Sequence, residues 1–227
     1  MIGQLVDTVH IVDAPENIDT AYAAEVDWSQ GYKLNPDSRL ALVGVGRILK
    51  AVGNIFGAGG AERDRVALVL GSDFGSLCSY ESFFNGLTRK VAQPLPYTHA
   101  LPSTPTAALS IFHELHGPTL TVSGEAEVGV SAVRVAQMLL AAGRCDKVIV
   151  GCWHAPSATT AKAGLADTAQ LLLLLLEQSN GERRSALQPG DLAMWSGGRD
   201  GRTCVEVLNE WVAGHRQQFE APIRMAS

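Results

Sequence analysis

At 227 residues with 46% apolar side chains, the chain is long enough for one domain with a sizeable core. A net charge of −5, with no Lys/Arg run longer than Arg183-Arg184, argues against a phosphate-tracking surface and so against a nucleic-acid partner. Charged residues make up only 18%, below the ~25% usual for soluble proteins, and this shortage points to surface covered by a partner.

Met1–Val12 mixes Gln4, Asp7 and His10 into its apolar residues and does not resemble a signal peptide. Within it, Val6–Val12 has the composition of a strand that ends at Asp13-Ala14-Pro15. Ala21–Asn35 reads as loop. A helix is expected over Leu40–Ile55, capped by Asp37 or Ser38 and stopped by Gly57–Gly60. Arg65–Leu70 is a short apolar run, as in a strand covered on both faces. Gly71–Gly75 follows as a turn; it lacks both the GxGxxG and the GxxxxGK[ST] patterns, so no nucleotide cofactor is implied.

Tyr80–Lys90 is expected to be helical. Gln93–Pro105 holds four prolines and is expected to be an extended, rigid loop. A helix over Thr106–Leu115 ends at Gly117-Pro118, and Thr119–Val122 is β-rich. Glu125–Ala142 reads as a long helix ended by Gly143, with strands at Lys147–Val150 and Ala169–Leu176 and a last helix near Val205–Ala213. The run Leu171–Leu176 is far short of the ~20 residues a spanning helix needs, so a cytoplasmic protein without a membrane span is expected. Strands alternating with helices argue for an α/β domain with a layered sheet.

The expected helix at Glu125–Ala142 carries a polar stripe of Glu127, Ser131, Arg134 and Gln137 on an otherwise apolar body. Ordinary surface helices show the reverse, so this one belongs inside something. Ser123 is its candidate cap. Glu125 and Glu127 are expected in its first turn, each favourable against the helix dipole by ~0.3–1 kcal/mol.

Several residues offer chemistry. Cys78, Cys145, Cys152 and Cys204 form no CxxC pair and are expected to be buried reduced thiols. Cys152 and His154 share a strand face if that segment is extended, which makes a Cys–His nucleophile the rival to a buried thiol beside a loop histidine. His113 and His116 are three apart but have no further ligands in view, so no metal is expected.

From Leu101 to Gly151 the chain resembles the nucleophile region of β-ketoacyl synthases. The residues that carry the resemblance are Leu101-Pro102, Gly117-Pro118, Thr121-Val122-Ser123, Gly129, Ala142-Gly143, Asp146 and Val148–Gly151. It implies a thiolase-like α/β fold, a layered mixed sheet with helices, as in the N-terminal half of a ketosynthase, over residues 1–180, with residues 181–227 as an extension that completes or covers it. The position of the family's nucleophilic cysteine falls on Ala126, which offers no lone pair for acylation. The family's two catalytic histidines and accompanying lysine belong to a C-terminal half that has no counterpart here.

The resemblance therefore implies a degenerate, non-catalytic subunit of the chain-length-factor type, similar to those of aryl polyene biosynthesis. Its partner would be a catalytic β-ketoacyl synthase, and an acyl carrier protein would meet the pair. Family ketosynthases dimerise through the strand before the nucleophile, here Thr119, Leu120, Thr121, Val122 and Ser123. The proline-rich segment, with Tyr97, His99, Leu101 and Pro102, is either a plain connector or, as the resemblance implies, lies near the dimer interface and helps shape the partner's acyl pocket. The alternative is a stand-alone acyl-thioester hydrolase or transferase using Cys152 or Ser123.

Overall fold

The computed structural model describes residues 4–26, 28, 34–53, 55, 60–91, 94–178 and 201–219. Five strands, β1 (Gln4–Asp13), β2 (Val66–Ser72), β3 (Thr119–Ser123), β4 (Lys147–His154) and β5 (Ala169–Glu177), form one sheet in the order β1-β5-β4-β2-β3. The strands β4, β2 and β3 run parallel, while β5 is antiparallel to both β4 and β1. The sheet is mixed, as expected.

Helices cover both faces. On one lie α1 (Pro15–Glu25), α2 (Pro36–Val52) and α6 (Thr104–Phe112); on the other lie α7 (Val128–Ala141) and α9 (Cys204–Phe219). The leucine run explains why the sheet needs both layers. Leu171, Leu173 and Leu175 enter the α1–α2 core, and Leu172, Leu174 and Leu176 enter the α7–α9 core, as strand alternation requires. Short helices α3 (Gly60–Arg63), α5 (Pro94–Thr98) and α8 (Ala158–Lys162), together with α4 (Leu77–Thr88), complete the described elements.

Several expectations need correction. Ala21–Glu25 is the end of α1, not loop: Pro15 opens that helix and Ile18 and Tyr22, four apart, face the core. The cap of α2 is Asn35, whose side chain accepts the Ser38 N–H, with Pro36 in the first turn; Asp37 and Ser38 lie inside the helix. That helix ends at Gly53, at φ +83°, and of the expected stop at Gly57–Gly60 residues 57–59 lie outside the described residues. The strand β2 runs on to Ser72, into the expected turn.

The proline-rich segment is not extended throughout. Pro94 opens α5 and Pro105 sits in the first turn of α6, positions where the missing N–H costs nothing; Gln93 lies outside the described residues. Ser123 does not cap α7: it ends β3, and the helix begins at Val128 with Glu127 as its N-cap, so Glu125 and Glu127 precede the first turn.

The helix α7 is half-covered rather than enclosed. Val128, Val130, Ala132, Val133, Ala136 and Leu140 are buried against β2, β4 and α9, while Met138 is 70% exposed beside Arg134 and Gln137. Val205, Leu208 and Trp211 of α9 close the packed side. Gly129 permits the approach, because a Cβ there would lie 2.7 Å from Cys152 Sγ and 2.9 Å from Leu208 Cβ. The polar segment Ser179–Asp200 lies outside the described residues.

Candidate functional site

Because β2, β3 and β4 are parallel, their C-terminal ends meet at one end of the sheet, the usual place for a site in α/β proteins. From the end of β3 the chain turns through Gly124–Glu127 into α7, the Val128 N–H donating to the Glu125 carbonyl at 2.9 Å. Ala126 sits in this turn and is 5% exposed. A thiol there would stand just before a helix N-terminus, which favours a thiolate. A methyl group has nothing to activate.

The ends of β2 and β4 supply Asp73 and His154. Their side chains are almost fully buried, with Asp73 Oδ1 3.8 Å from His154 Nδ1, and His154 Nε2 lies 3.3 Å from the Ala166 carbonyl. Asp73 Oδ2 also accepts the Cys204 N–H at 3.4 Å, which ties the start of α9 to the end of β2. Nearby, Asp37 is fully buried; its carboxylate accepts from Asn35 Nδ2 at 3.3 Å and from Cys78 Sγ at 3.8 Å. Asn35 also reaches Ser76 Oγ, Ser79 Oγ and the His99 carbonyl, joining α2 to α4 and α5.

Burial pushes Asp37 up to about 6, against opposing hydrogen bonds from Ser76 and Cys78 and the field of His154. A carboxyl raised in the fold above its unfolded value near 3.8 gives stability that is complete below that value and lost as pH rises through about 6. Asp37→Asn is therefore expected to be more stable than wild type by up to about 3 kcal/mol at pH 8, with the gap closing towards pH 4. Urea unfolding at the two pH values measures this. A variant no more stable than wild type at pH 8 contradicts it.

The thiols are not poised for attack. Cys152 is fully buried and donates to the Cys204 carbonyl at 3.3 Å, while Cys204 donates to the Trp153 carbonyl at 3.3 Å. Burial and the neighbouring Cys152 raise Cys204 well above the ordinary thiol range, and burial with the Asp37 carboxylate pushes Cys78 up to about 12. Alternation along β4 puts Cys152 and His154 on one face, yet no hydrogen bond among the described residues joins them. Ser123 is exposed at the sheet edge, and no base is bonded to it among the described residues.

The two spaced histidines diverge. Burial and Arg63 push His113 down to about 4, whereas His116 Nδ1 lies 3.0 Å from Asp64 Oδ1. Among the described residues no group of three or more His, Cys, Asp or Glu could hold a metal ion. No described helix is long and apolar enough to cross a membrane.

The residues expected at an interface occupy the sheet edge. β3 is the last strand, and Thr119, Leu120 and Ser123 are exposed along it, with Thr121 and Val122 half-buried. Thr121 Oγ1 lies 2.7 Å from Thr106 Oγ1 of α6. Tyr97 and Leu101 are exposed, His99 is half-buried, and Pro102 packs on Gly75 just past β2. Sequence reading missed the Asn35 hub and Asp73. Asn35-Pro36 was the available signal for the first, an N-cap followed by proline at the first helical position.

A family model described as "Beta-ketoacyl synthase, N-terminal domain" matches residues 11–205. No curated protein matches the chain significantly. Among solved structures, the ishigamide ketosynthase/chain length factor aligns at a TM-score of 0.57 and 22% identity over 73% of this chain and 50% of its own. The ketosynthase ApeO in complex with its chain length factor ApeC from Xenorhabdus doucetiae aligns at 0.59 and 18% identity, over 80% of this chain and 81% of its own. AntDE:AntF, a type II polyketide synthase acyl-carrier protein in complex with its hexaketide-bound ketosynthase, aligns at 0.58 and 16%, covering 78% and 63%. The chain thus spans half the length of the first of these structures, and identities this low establish a shared fold.

Proposed function

The chain belongs to the β-ketoacyl synthase N-terminal-domain family, with its thiolase-like α/β fold, and from that premise we propose that it is a non-catalytic subunit of the chain-length-factor type. It pairs in the cytoplasm with an active β-ketoacyl synthase that builds a polyketide, aryl polyene or fatty-acid-like chain. An acyl carrier protein reaches it only through that complex.

The observation that carries this reading is Ala126 at the tip between β3 and α7. Ketosynthase chemistry begins with transfer of an acyl group to a thiolate, and an alanine leaves no acceptor atom there. Supporting observations are the burial of Cys152 and Cys204 and the exposed edge strand β3. The solved relatives named above include ketosynthases described with their chain length factors.

Incubating the isolated chain with an acyl-thioester probe and recording its intact mass tests the missing chemistry. The expected spectrum is that of the unmodified chain. A stoichiometric acyl adduct mapped to Cys152 or Ser123 would overturn the reading in favour of an acyl-thioester hydrolase or transferase.

A further inference from the structure

The strand β1 forms the sheet edge opposite β3, and among the described residues β5 alone pairs with it. Hydrogen bonds fix which of its backbone groups are free. The Gln178 N–H donates to the Asp146 carbonyl at 2.8 Å, in the register that sets Leu172, Leu174 and Leu176 opposite Cys152, Val150 and Val148. In an antiparallel ladder those even residues of β5 bond to β4, which leaves Leu171, Leu173 and Leu175 to bond to β1. Their partners are Ile11, Val9 and Asp7, so Thr8, His10 and Val12 turn their N–H and C=O groups outward.

From Asp7 to Asp13 nothing in the strand blunts this edge. Proteins protect edges with lysine, proline, bulges or a covering helix. The sequence QLVDTVHIVD has neither lysine nor proline, and its bulge lies near the start, between Leu5 and Asp7. The helix α9 packs over β4 and β5, and the side chains of Thr8, His10 and Val12 are exposed. Val12 is 55% exposed and Val6 41%.

The strand can serve as its own antiparallel complement. Outward residues must face outward residues, and directly opposed like charges are unfavourable. Setting His10 against His10 of a second copy also opposes Asp7 to Asp13 of the second copy. Setting Val9 against Val9 of the second copy instead pairs Thr8 with its His10, Asp7 with its Ile11 and Val12 with its Val6. That register opposes no like charges and brings exposed valine to exposed valine.

We propose that β1 pairs with β1 of a second copy of this chain, antiparallel and centred on Val9, to form a weak symmetric dimer with one continuous sheet. A single ladder of this length is at the small end of interfaces, so monomers are expected at gel-filtration dilution and dimers towards the millimolar range. The opposite edge at β3 stays free, so the inference does not rest on the ketosynthase pairing.

Sedimentation of the isolated full chain at concentrations up to about 0.5 mM tests it. The wild-type sedimentation coefficient is expected to climb from the monomer towards the dimer value. Val12→Lys and His10→Pro should raise the dimer Kd at least about tenfold with little change in thermal midpoint. His10→Ala keeps the outward N–H and should dimerise as wild type does.

Val9→Cys supplies a second readout. Val9 and its mate form a non-hydrogen-bonded pair with Cα atoms ~4.5 Å apart, within disulfide reach. Diamide, which takes up the two thiol hydrogens, should link Val9→Cys chains into a covalent dimer. Asp7→Cys chains should stay apart, because residue 7 faces residue 11. A wild-type chain that remains monomeric throughout overturns the inference. So does a dimer that persists in Val12→Lys and His10→Pro, or one that Val9→Cys fails to trap.

Discussion

Trp211→Ala is expected to destabilise the chain by about 3–5 kcal/mol, the range for deleting a buried tryptophan. Trp211 is 3% exposed and packs with Val205 and Leu208 in the core that α9 shares with α7, β4 and β5. Domains are stable by only about 5–15 kcal/mol, so the loss is a large share of the total. The midpoint should fall by roughly 6–20 °C for a domain of this size.

Met138→Ala, at the exposed side of α7, is the contrast and should stay within about 0.5 kcal/mol of wild type. Urea unfolding of both variants gives the answer. A Trp211→Ala chain within 1 kcal/mol of wild type would mean that α9 is dispensable and that the face of α7 beneath it is open to another chain.

Thr121→Pro is expected to weaken ketosynthase binding about 10- to 100-fold, while costing the isolated chain far less. The ladder dictates the choice of position. The Pro118 carbonyl accepts the Leu68 N–H at 2.9 Å, and Leu68, Leu70 and Ser72 register with Thr119, Thr121 and Ser123. In a parallel ladder of that register, Leu120 and Val122 bond to β2, while Thr119, Thr121 and Ser123 turn their N–H and C=O groups outward.

Proline at Thr121 deletes an outward donor and leaves the β2 ladder intact. A partner strand would lose one hydrogen bond and keep an unsatisfied carbonyl, about 1–3 kcal/mol, which is the stated fold-change. Thr121→Val removes the same hydroxyl contact to Thr106 but keeps the N–H, and should bind nearly as wild type. Equal affinities for proline and valine would rule out strand pairing at this edge.

Legibility from sequence followed how local each signal was. The strands β2, β4 and β5 were plain because continuous apolar runs such as Leu171–Leu176 fit a sheet covered on both faces. The place of Ala126 between a strand and a helix was legible because the ordered motifs around it are local in sequence. The helix α1 was not, because Ile18 and Tyr22 are its only buried residues, too few to make a periodic stripe. The prolines of residues 93–105 misled for a related reason: proline opens a helix as readily as it forbids one.

Asp37, the stretch from Asp73 to Cys78, and His154 come from three segments distant in sequence, and only the fold brings them together. The coverage of α7 by α9 is likewise a tertiary fact. The apolar composition of α7 indicated that something must lie on it, and the packing of Leu208 against Gly129 identifies what does.

The most direct test of the central claim is the mass of the species formed when this chain and a full-length catalytic β-ketoacyl synthase from the same genome are expressed together, measured by light scattering after gel filtration. The account predicts a one-to-one complex in which an acyl-thioester probe labels only the ketosynthase. A chain that elutes alone as a stable monomer, or that takes up the label itself, contradicts it.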